Sequence, residues 1–325
     1  MEASAQPSRP DVELSDFALD IRDGLLRTPK VLPSKYFYDQ RGDQLFQQIM
    51  QMPEYYLTRC EREIFERQHG DILRAISARP FELIELGAGD GSKTKILLRH
   101  FIEEDVPFTY RPVDISGSVL AELEKDLNDR WPSLPVRPLW GDYMRMLEKV
   151  NREDKVPKVI LFLGSNIGNL EPSKARAFLQ RLAANMQAGD YLLLGVDLKK
   201  DPSLILAAYN DAQGITEAFN KNILRRINRE LEADFDLDAF MHWETYDPVS
   251  GAARSHLVSR RRQLVRLGVL GMEVPFAPWE AIRVELSQKY HLSEVEAMAA
   301  DCQLNVEHHF LDSRAFFVDT LWKKA

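Results

Sequence analysis

This chain of 325 residues has few cysteines, no long apolar run and no excess of basic residues. Two distant cysteines, Cys60 and Cys302, provide neither a disulfide framework nor a metal-binding motif. No stretch reaches the roughly 18 apolar residues of a membrane span, and the start has no apolar signal segment. The net charge of −8 disfavours nucleic acid and anionic membranes as partners. We therefore expect a cytoplasmic globular protein, and we add, as an expectation that these features do not derive, that it is a monomer with a small-molecule partner.

Two local features could suggest other partners. Three arginines stand together at residues 260–262, but a charge run of that length is usually a solvated face. The seven histidines show no ligand spacing such as H-E-x-x-H, and His308 and His309 would point to opposite faces of a strand. We therefore predict neither a nucleic-acid site nor a metal site.

Short apolar runs alternate with helical patterns from about residue 80 to residue 200. The runs are FELIELGA, FTYRPVDI, VRPLWGD, KVILFLGS and YLLLGVDL. They are nearly continuous, which is typical of strands buried on both faces of a parallel sheet. The clearest helical pattern spans residues 172–188, with Pro172 near its start and Gly189 just past its end. This alternation predicts a doubly wound α/β sheet.

The pattern changes from about residue 205 to residue 290. A long helix is predicted in ITEAFNKNILRRINRELEADF, a β-hairpin in RSHLVSRRRQLVRLGVLGMEVPF and a strand in AIRVELSQKY. A helix then begins at Ser293, and two strand-like runs, VEHHFL and AFFVDTLW, could rejoin the sheet as an antiparallel edge. We predict a sheet core (61–200 plus 290–325) and a smaller α+β domain (1–60 plus 201–289), with a loose tail over residues 1–12.

A glycine-rich loop, ELGAGDGSKT at residues 85–94, follows the first apolar run. Gly87, Gly89 and Gly91 allow a close approach between backbone and ligand. A dinucleotide fingerprint needs its third glycine at position 92, where this chain has Ser92, so an NAD-dependent dehydrogenase is disfavoured. The spacing suits S-adenosylmethionine better, because that cofactor has no phosphate groups to bind.

Two acidic residues support a nucleoside site. Asp114 ends the next apolar run, where a carboxylate can accept hydrogen bonds from both ribose hydroxyls. Asp142 follows another strand, where it could meet the adenine amino group. Acids at strand ends also cap helices, so each alone is ambiguous. Together with the glycine loop they indicate a nucleoside ligand.

Other polar residues allow two interpretations each. FLGSNIGNLEP places Asn166 and Asn169 at the same sheet edge, where they could bind a carboxylate or cap a helix. Glu285 and Ser287 share one face of a strand, where they could be solvated or could hold an imidazole. The tyrosine pairs in KYFYDQRG and PEYYLTRCERE are also typical packing residues.

Together these residues resemble the L-histidine Nα-methyltransferases of the ergothioneine pathway, which are similar to fungal tryptophan Nα-methyltransferases. The resemblance covers about residues 20–325 and is most specific in YFYDQRGDQLFQQIMQMPEYYLTR, ELGAGDGSKT, FLGSNIGNL and FNKNILRRINRELEADFDLDAF. It implies a Rossmann-like class I methyltransferase core with a smaller α+β substrate domain. It also implies that three methyl groups pass from S-adenosylmethionine to the α-amine of histidine, which yields hercynine.

The resemblance assigns an expected role to each matching position. The cofactor would be held by Gly87, Gly89, Lys93, Asp114, Asp142, Tyr143 and Ser165. The candidate catalytic groups, which would meet the cofactor or the substrate amine, are Tyr38 and the backbone of Gly164. The substrate carboxylate would be bound by Asn169 and Tyr209. The imidazole would be bound by Tyr55, Glu285 and Ser287.

Ser255 departs from the family pattern. The histidine enzymes, as we align them, have a methionine against the substrate ring at this position. A methyltransferase for another aromatic amino acid, tryptophan above all, is therefore an alternative, and a non-catalytic cofactor-binding module is a second one. Glu285 favours imidazole, since indole offers one N–H donor and no acceptor to a buried polar site.

Overall fold

The computed structural model describes residues 14–153 and 156–325, so the predicted loose tail over residues 1–12 lies outside the described residues. The α-helices are α1 (Asp16–Leu26), α2 (Gln40–Gln51), α3 (Leu57–Ala75), α4 (Thr94–Glu103), α5 (Gly117–Arg130), α6 (Tyr143–Glu153), α7 (Pro172–Ala184), α8 (Pro202–Tyr209), α9 (Ile215–Glu230) and α10 (Leu292–Asp301). The strands are β1 (Lys30–Val31), β2 (Phe81–Leu86), β3 (Phe108–Asp114), β4 (Leu139–Trp140), β5 (Lys158–Phe162), β6 (Tyr191–Asp197), β7 (Phe240–Asp247), β8 (Ala252–Ser259), β9 (Gln263–Leu267), β10 (Met272–Phe276), β11 (Ala281–Gln288), β12 (Leu304–Leu311) and β13 (Phe317–Lys324). Within these ranges, no helix has the length and apolar character needed to cross a membrane.

The chain divides into two compact units. The core unit consists of Met50–Ala208, Tyr246–Ala253 and Leu286–Ala325. The smaller unit consists of the described residues up to Ile49, together with Tyr209–Thr245 and Arg254–Glu285. The sequence-based domain limits, and the assignment of one domain to the cofactor and the other to the substrate, stay predictions.

The core unit contains a seven-stranded sheet in the order β12-β13-β6-β5-β2-β3-β4. The strands from β6 through β4 are parallel, and β13 runs antiparallel to both of its neighbours. Every residue of β2, β5 and β6 is buried, as their continuous apolar runs predicted. The doubly wound α/β prediction is confirmed. The two C-terminal strands also rejoin the sheet as its antiparallel edge, as predicted, with β13 next to β6 and β12 outermost.

Helices pack on both faces of this sheet. Alternate residues of β2, β5 and β6, such as Ile84, Ile160 and Leu194, form an apolar cluster with side chains of α6, α7 and α10. Helix α3 packs against β13 and α4. It meets the opposite face, because its Glu61 carboxylate lies where a side chain of Gly195 would project.

The strand order reverses between β2 and β5. From β2 the chain proceeds to β3 and β4 on one side, and it then returns to β5 on the other side. Open α/β sheets bind ligands beyond the carboxyl ends of the strands at such a switch point. The loops after β2 and β5, which carry Gly87 and Gly164, therefore lie where sheets of this kind bind ligands.

The smaller unit contains most of a four-stranded sheet in the order β1-β11-β8-β7, with helices α1 and α9. The predicted hairpin sequence is divided between two sheets, because β8 joins this sheet while β9 and β10 form a separate antiparallel pair. The predicted alternation in β11 is confirmed as far as Glu285, since Ile282 and Val284 are buried between less buried neighbours, whereas the last three residues of the strand are all buried.

Helix α7 is shorter than predicted. It ends at Ala184, where Asn185 caps it, instead of continuing to residue 188. Gly189 has φ +89° and belongs to the turn that leads into β6, where its N–H donates to the Lys324 carbonyl. The glycine therefore serves the entry to the strand and does not end the helix.

Candidate active site

The glycine loop turns sharply after β2. Gly87 and Gly89 have φ +76° and +54°, a region that favours glycine. A Cβ atom added to Gly87 would lie 2.7 Å from the Tyr143 hydroxyl oxygen, whereas one added to Gly89 would have no neighbour within 4 Å. The loop is thus packed against Tyr143 at Gly87 and open beside Gly89. A ligand could therefore contact the backbone at Gly89.

Glu85 anchors this loop from beneath. Its buried carboxylate accepts hydrogen bonds from the Thr94 hydroxyl at 2.5 Å, at the start of α4, and from the Tyr110 hydroxyl on β3. Burial raises the pKa of Glu85 to about 7, although these two donors and the charge of Lys93 oppose the shift. The acid before the first glycine therefore joins three elements and does not face the ligand edge.

Asp114 and Asp142 lie at the ends of β3 and β4. The Gly89 N–H donates to Asp114 Oδ2 at 3.3 Å, and the Asp142 carboxylate accepts from the Met144 and Arg145 N–H groups at 3.0 and 3.2 Å. Asp142 thus caps the start of α6, the alternative that the sequence left open, whereas Asp114 joins its own turn, through the Ser116 N–H at 2.9 Å, to the glycine loop. Carboxylate oxygens accept more than one hydrogen bond, so contacts to a nucleoside are compatible with these bonds.

Tyr143 is half-buried beside the glycine loop. Burial raises the pKa of its hydroxyl to about 12, and the nearby charges of Asp114, Asp142 and Glu85 act in the same direction. The side chain therefore keeps its O–H donor at neutral pH. This donor and the loop backbone provide polar groups next to the open side of Gly89.

The loop after β5 has two consecutive residues in the left-handed region. Gly164 has φ +71°, and its N–H donates to Glu61 Oε1 at 2.6 Å. Ser165 has φ +56° although it carries a side chain, and its buried hydroxyl accepts from the Asp197 N–H at 3.0 Å. Such a conformation costs about 1–3 kcal/mol unless its surroundings impose it. Ser165 is thus held by β6, while Asn169 is exposed at the end of the following short 3₁₀ helix.

Lys93 pairs with a residue that the sequence did not single out, Glu61 on α3. Burial alone would lower the pKa of the Lys93 ammonium, but the Glu61 carboxylate, with smaller contributions from Asp319 and Glu85, raises it overall. A Cβ atom at Gly164 would lie 3.5 Å from Lys93 Nζ. The structure thus brings Lys93, Gly164 and the glycine loop together at the switch point.

Ser287 belongs to a buried polar cluster of the core unit. Its hydroxyl oxygen accepts from Lys289 Nζ at 2.7 Å, and the same ammonium lies 2.7 Å from Asp197 Oδ2. The Tyr56 hydroxyl also donates to Asp197, and Lys200 pairs with this carboxylate. Tyr55 is half-buried next to Tyr56. A lysine can only donate, so Ser287 accepts from Lys289 and directs its own O–H elsewhere.

Ser255 lies among acids in the smaller unit. Its buried hydroxyl donates to Glu244 Oε2 at 2.6 Å and lies 3.3 Å from Glu285 Oε2. Because a hydroxyl has one hydrogen, the shorter contact is the main bond. At the position of the family's methionine, this chain thus has a hydroxyl that is bonded to the buried Glu244 carboxylate and lies close to the half-buried Glu285, the predicted ring-binding residue.

The remaining two predicted residues are tyrosines of the smaller unit. Tyr38 follows a 3₁₀ helix and is 44% exposed, and its ring meets the Phe46 and Phe219 rings edge to face at 5.6 and 5.5 Å. Tyr209 is buried at the end of α8. Tyr38 therefore has both the packing role that tyrosine pairs suggested and an accessible surface.

A sequence model of the family described as "Histidine-specific methyltransferase, SAM-dependent" matches residues 17–324. The chain belongs to this family. It is 39% identical over 298 residues to a histidine N-alpha-methyltransferase of Mycolicibacterium smegmatis, with 92% of each chain covered. It is 38% identical to the protein of the same description from Mycobacterium tuberculosis, with 88% of each chain covered. An L-tryptophan methyltransferase of Psilocybe serbica is 28% identical, with 91% of this chain and 89% of that one covered.

Membership in this methyltransferase family confirms the recognised resemblance, the enzyme class and S-adenosylmethionine as the cofactor. The core unit fits that cofactor on three counts: an open backbone at Gly89, carboxylates after β3 and β4, and an ammonium at Lys93. The carboxylates can accept hydrogen bonds from the ribose hydroxyls and the adenine amino group of the cofactor, and the ammonium can pair with its α-carboxylate. The roles of individual residues stay predictions.

The sequence reasoning missed the buried acids Glu61, Asp319 and Glu244 and the buried Lys289. Helical phase could have found Glu61, because it lies on the same face of α3 as Leu57, Ile64 and Phe65. Asp319 interrupts an otherwise apolar run, which is a comparable signal. The partners of Glu61 and Asp319 lie far away in the sequence, so no local sequence motif could have predicted these pairs.

Proposed function

We propose that this methyltransferase transfers methyl groups from S-adenosylmethionine to the α-amine of L-histidine three times in succession, which yields hercynine. The two polar groups on β11 carry the proposal. The Glu285 carboxylate can accept a hydrogen bond, and the Ser287 hydroxyl, whose oxygen accepts from Lys289, is a group that can also donate one. A neutral imidazole offers one N–H and one bare nitrogen, which matches this pair, whereas indole offers the N–H alone. Higher identity to the histidine relatives supports the same substrate.

The residues of the chain would act mainly by positioning the amino acid. We assign the substrate carboxylate to Asn169 and Tyr209, and the ring to Glu285, Ser287 and Tyr55. The cofactor supplies a methyl group on a positively charged sulfur. Tyr38 and the Gly164 backbone would orient the amine towards it. A model α-amino group has a pKa of about 8, so water can take its proton and no strong general base is required.

Repeated transfer places a demand on the surroundings of the amine. The amine gains bulk with each methyl group and becomes a permanent cation, and aromatic faces accommodate such cations. Tyr38, Phe46 and Phe219 form an aromatic cluster of this kind in the smaller unit. The trimethylated nitrogen has no lone pair, so the reaction stops there. A monomeric state and a cytoplasmic location stay predictions.

Assay of the purified protein with S-adenosylmethionine and either histidine or tryptophan tests the substrate assignment. We expect a preference for histidine in kcat/KM of ~10⁴, because a site built for hydrogen bonds rejects an analogue that lacks the groups. Mass spectrometry should detect mono-, di- and trimethylhistidine in sequence. Preference for tryptophan would replace the proposal with its first alternative. Cofactor binding without methyl transfer to either amino acid would support a non-catalytic module.

Glu285→Ala tests the ring contact. We expect kcat/KM for histidine to fall by about 10²-fold or more, with S-adenosylmethionine affinity unchanged, because the ring loses its acceptor and no assigned cofactor contact is removed. Glu273→Ala is the matched control, since Glu273 is an exposed strand glutamate that pairs with Arg266. Unchanged histidine kinetics in the Glu285 variant would contradict the assignment.

A further inference from the structure

Glu61 connects the two loops of the switch point. It lies on α3 and is completely buried. Its Oε1 atom accepts from the Gly164 N–H at 2.6 Å, in the loop after β5. Its Oε2 atom accepts from Lys93 Nζ, at the end of the loop after β2. One carboxylate thus commits each oxygen to a different ligand loop of the core unit.

A second buried carboxylate, Asp319 on β13, lies beside Glu61. A Cβ atom at Gly195 would be 2.5 Å from Glu61 Oε1 and 3.0 Å from Asp319 Oδ1, so the two acids converge where this glycine leaves space. No donor among the described residues reaches either Asp319 oxygen. Burial and then the charge of Glu61 raise the pKa of Asp319 well above its usual range, although Lys93 opposes this.

Only one of the two carboxyl groups, Glu61 and Asp319, can therefore be ionised beside the single Lys93 ammonium. Two ionised carboxylates this close, with one ammonium, would leave a buried negative charge without compensation. Glu61 has both donors, and Asp319 has neither. The stable arrangement is an ionised Glu61 paired with the Lys93 ammonium, next to a neutral Asp319.

We propose that Glu61 is a positioning residue for cofactor binding and methyl transfer, and that Asp319 beside it is held as a neutral acid. The ionised carboxylate fixes the Lys93 ammonium and the Gly164 backbone in one arrangement. Lys93 then presents its other N–H donors to the anionic end of the cofactor, and Gly164 presents its peptide to the amine. The inference rests on the proposed function only for the role of Gly164.

The test compares Glu61→Gln with Asp319→Asn. A glutamine has one acceptor oxygen and one NH₂ group, so either Lys93 or Gly164 would face a donor instead of an acceptor. An asparagine, in contrast, resembles a neutral aspartic acid. For E61Q we expect a rise of about tenfold or more in the Kd of S-adenosylmethionine, measured by calorimetry, and a similar fall in kcat. For D319N, and for the partly exposed control E63Q on the same helix, we expect both values within about threefold of the wild type.

A double-mutant cycle separates positioning from simple stability. If Glu61 acts through Lys93, E61Q added to Lys93→Met should not weaken cofactor binding further. Additive losses in the cycle, an unchanged cofactor Kd in E61Q, or an equal loss in D319N would each overturn the proposal. Cofactor affinity is measured without histidine, so these results are independent of whether histidine is the substrate.

Infrared spectroscopy tests the protonation state even if E61Q does not fold. We expect the wild type at neutral pH to show a protonated carboxyl band that D319N lacks. Identical carboxyl bands in the two proteins would overturn the assignment of a neutral Asp319.

Discussion

At the scale of single residues, Ser255 changes the chemistry of its surroundings more than its size suggests. A methionine at this position would offer the substrate ring an apolar, polarisable contact. The serine instead donates to Glu244 at 2.6 Å and keeps that carboxylate close to Glu285. The bond also satisfies a buried acid, so the serine contributes to stability as well as to the site.

Ser255→Ala should lower the free energy of unfolding by about 1–3 kcal/mol, because a buried carboxylate loses a donor. Urea denaturation at neutral pH measures this change. Ser203→Ala is the matched control: its hydroxyl also donates to a carboxylate, Asp201, at 2.7 Å, but the pair is exposed. We expect less than about 0.5 kcal/mol there. If both variants lowered the free energy of unfolding equally, the buried bond to Glu244 would contribute no more to stability than an exposed one.

At the scale of elements, the buried Glu85 carboxylate connects β2, β3 and the start of α4. These two hydrogen bonds fix the position of α4 relative to β2 and β3, and thereby hold both ends of the glycine loop. Because burial raises the pKa of Glu85 to about 7, above the ordinary glutamate value of 4.5, its contribution to stability depends on pH.

Glu85→Gln should flatten part of the pH dependence of unfolding. Between about pH 4.5 and 7 the folded state holds a proton that the unfolded state has released, so stability falls as pH rises. The contribution of Glu85 is complete below this window and is lost above it. The wild type should lose up to about 1.4 kcal/mol per pH unit more than E85Q within the window. Urea denaturation at pH 5, 6 and 7 measures the slopes.

The exposed variant Glu122→Gln is the control for this pH series, and it should keep the wild-type slope. Parallel slopes for E85Q and the wild type would mean that Glu85 is already ionised in the folded protein at pH 5.

The elements could be predicted where one pattern dominated. Strands β2, β5 and β6 are buried on both faces, so their apolar runs identified them. The limit of α7 was missed because Gly189 is a turn residue for β6, and sequence alone does not tell these two uses of glycine apart. The separation of β8 from β9 was missed because pairing depends on partners elsewhere in the chain.

At the scale of the whole chain, one buried carboxylate gathers distant segments of the core unit. Asp197 ends β6, and it binds Tyr56 before α3 and Lys289 after β11, at 2.8 and 2.7 Å. Motif spacing and strand ends identified Gly87 and Asp114 as candidate residues, and the family resemblance added Lys93. These signals did not predict Asp197, Lys289 or Glu61, because their partners become neighbours only in the folded protein.

Asp197→Ala should destabilise the protein by about 3–5 kcal/mol, because the buried ammonium groups of Lys200 and Lys289 lose a compensating charge. Chemical denaturation measures this loss. Asp201→Ala is the control, since this exposed aspartate caps α8 through the Ser203 N–H, and we expect a clearly smaller cost. A cost for the Asp197 variant no greater than that of the control would argue against a stabilising cluster.

The position of β13 between β6 and β12 also has a consequence during protein synthesis. The edge of β6 stays unpaired while the ribosome adds all of the intervening chain, and it is covered only when β13 emerges. Asp319 arrives with that strand, so the pair of acids that it forms with Glu61 is assembled late. A nascent chain that stalls before β13 should therefore expose an unpaired, aggregation-prone strand edge and should recruit chaperones.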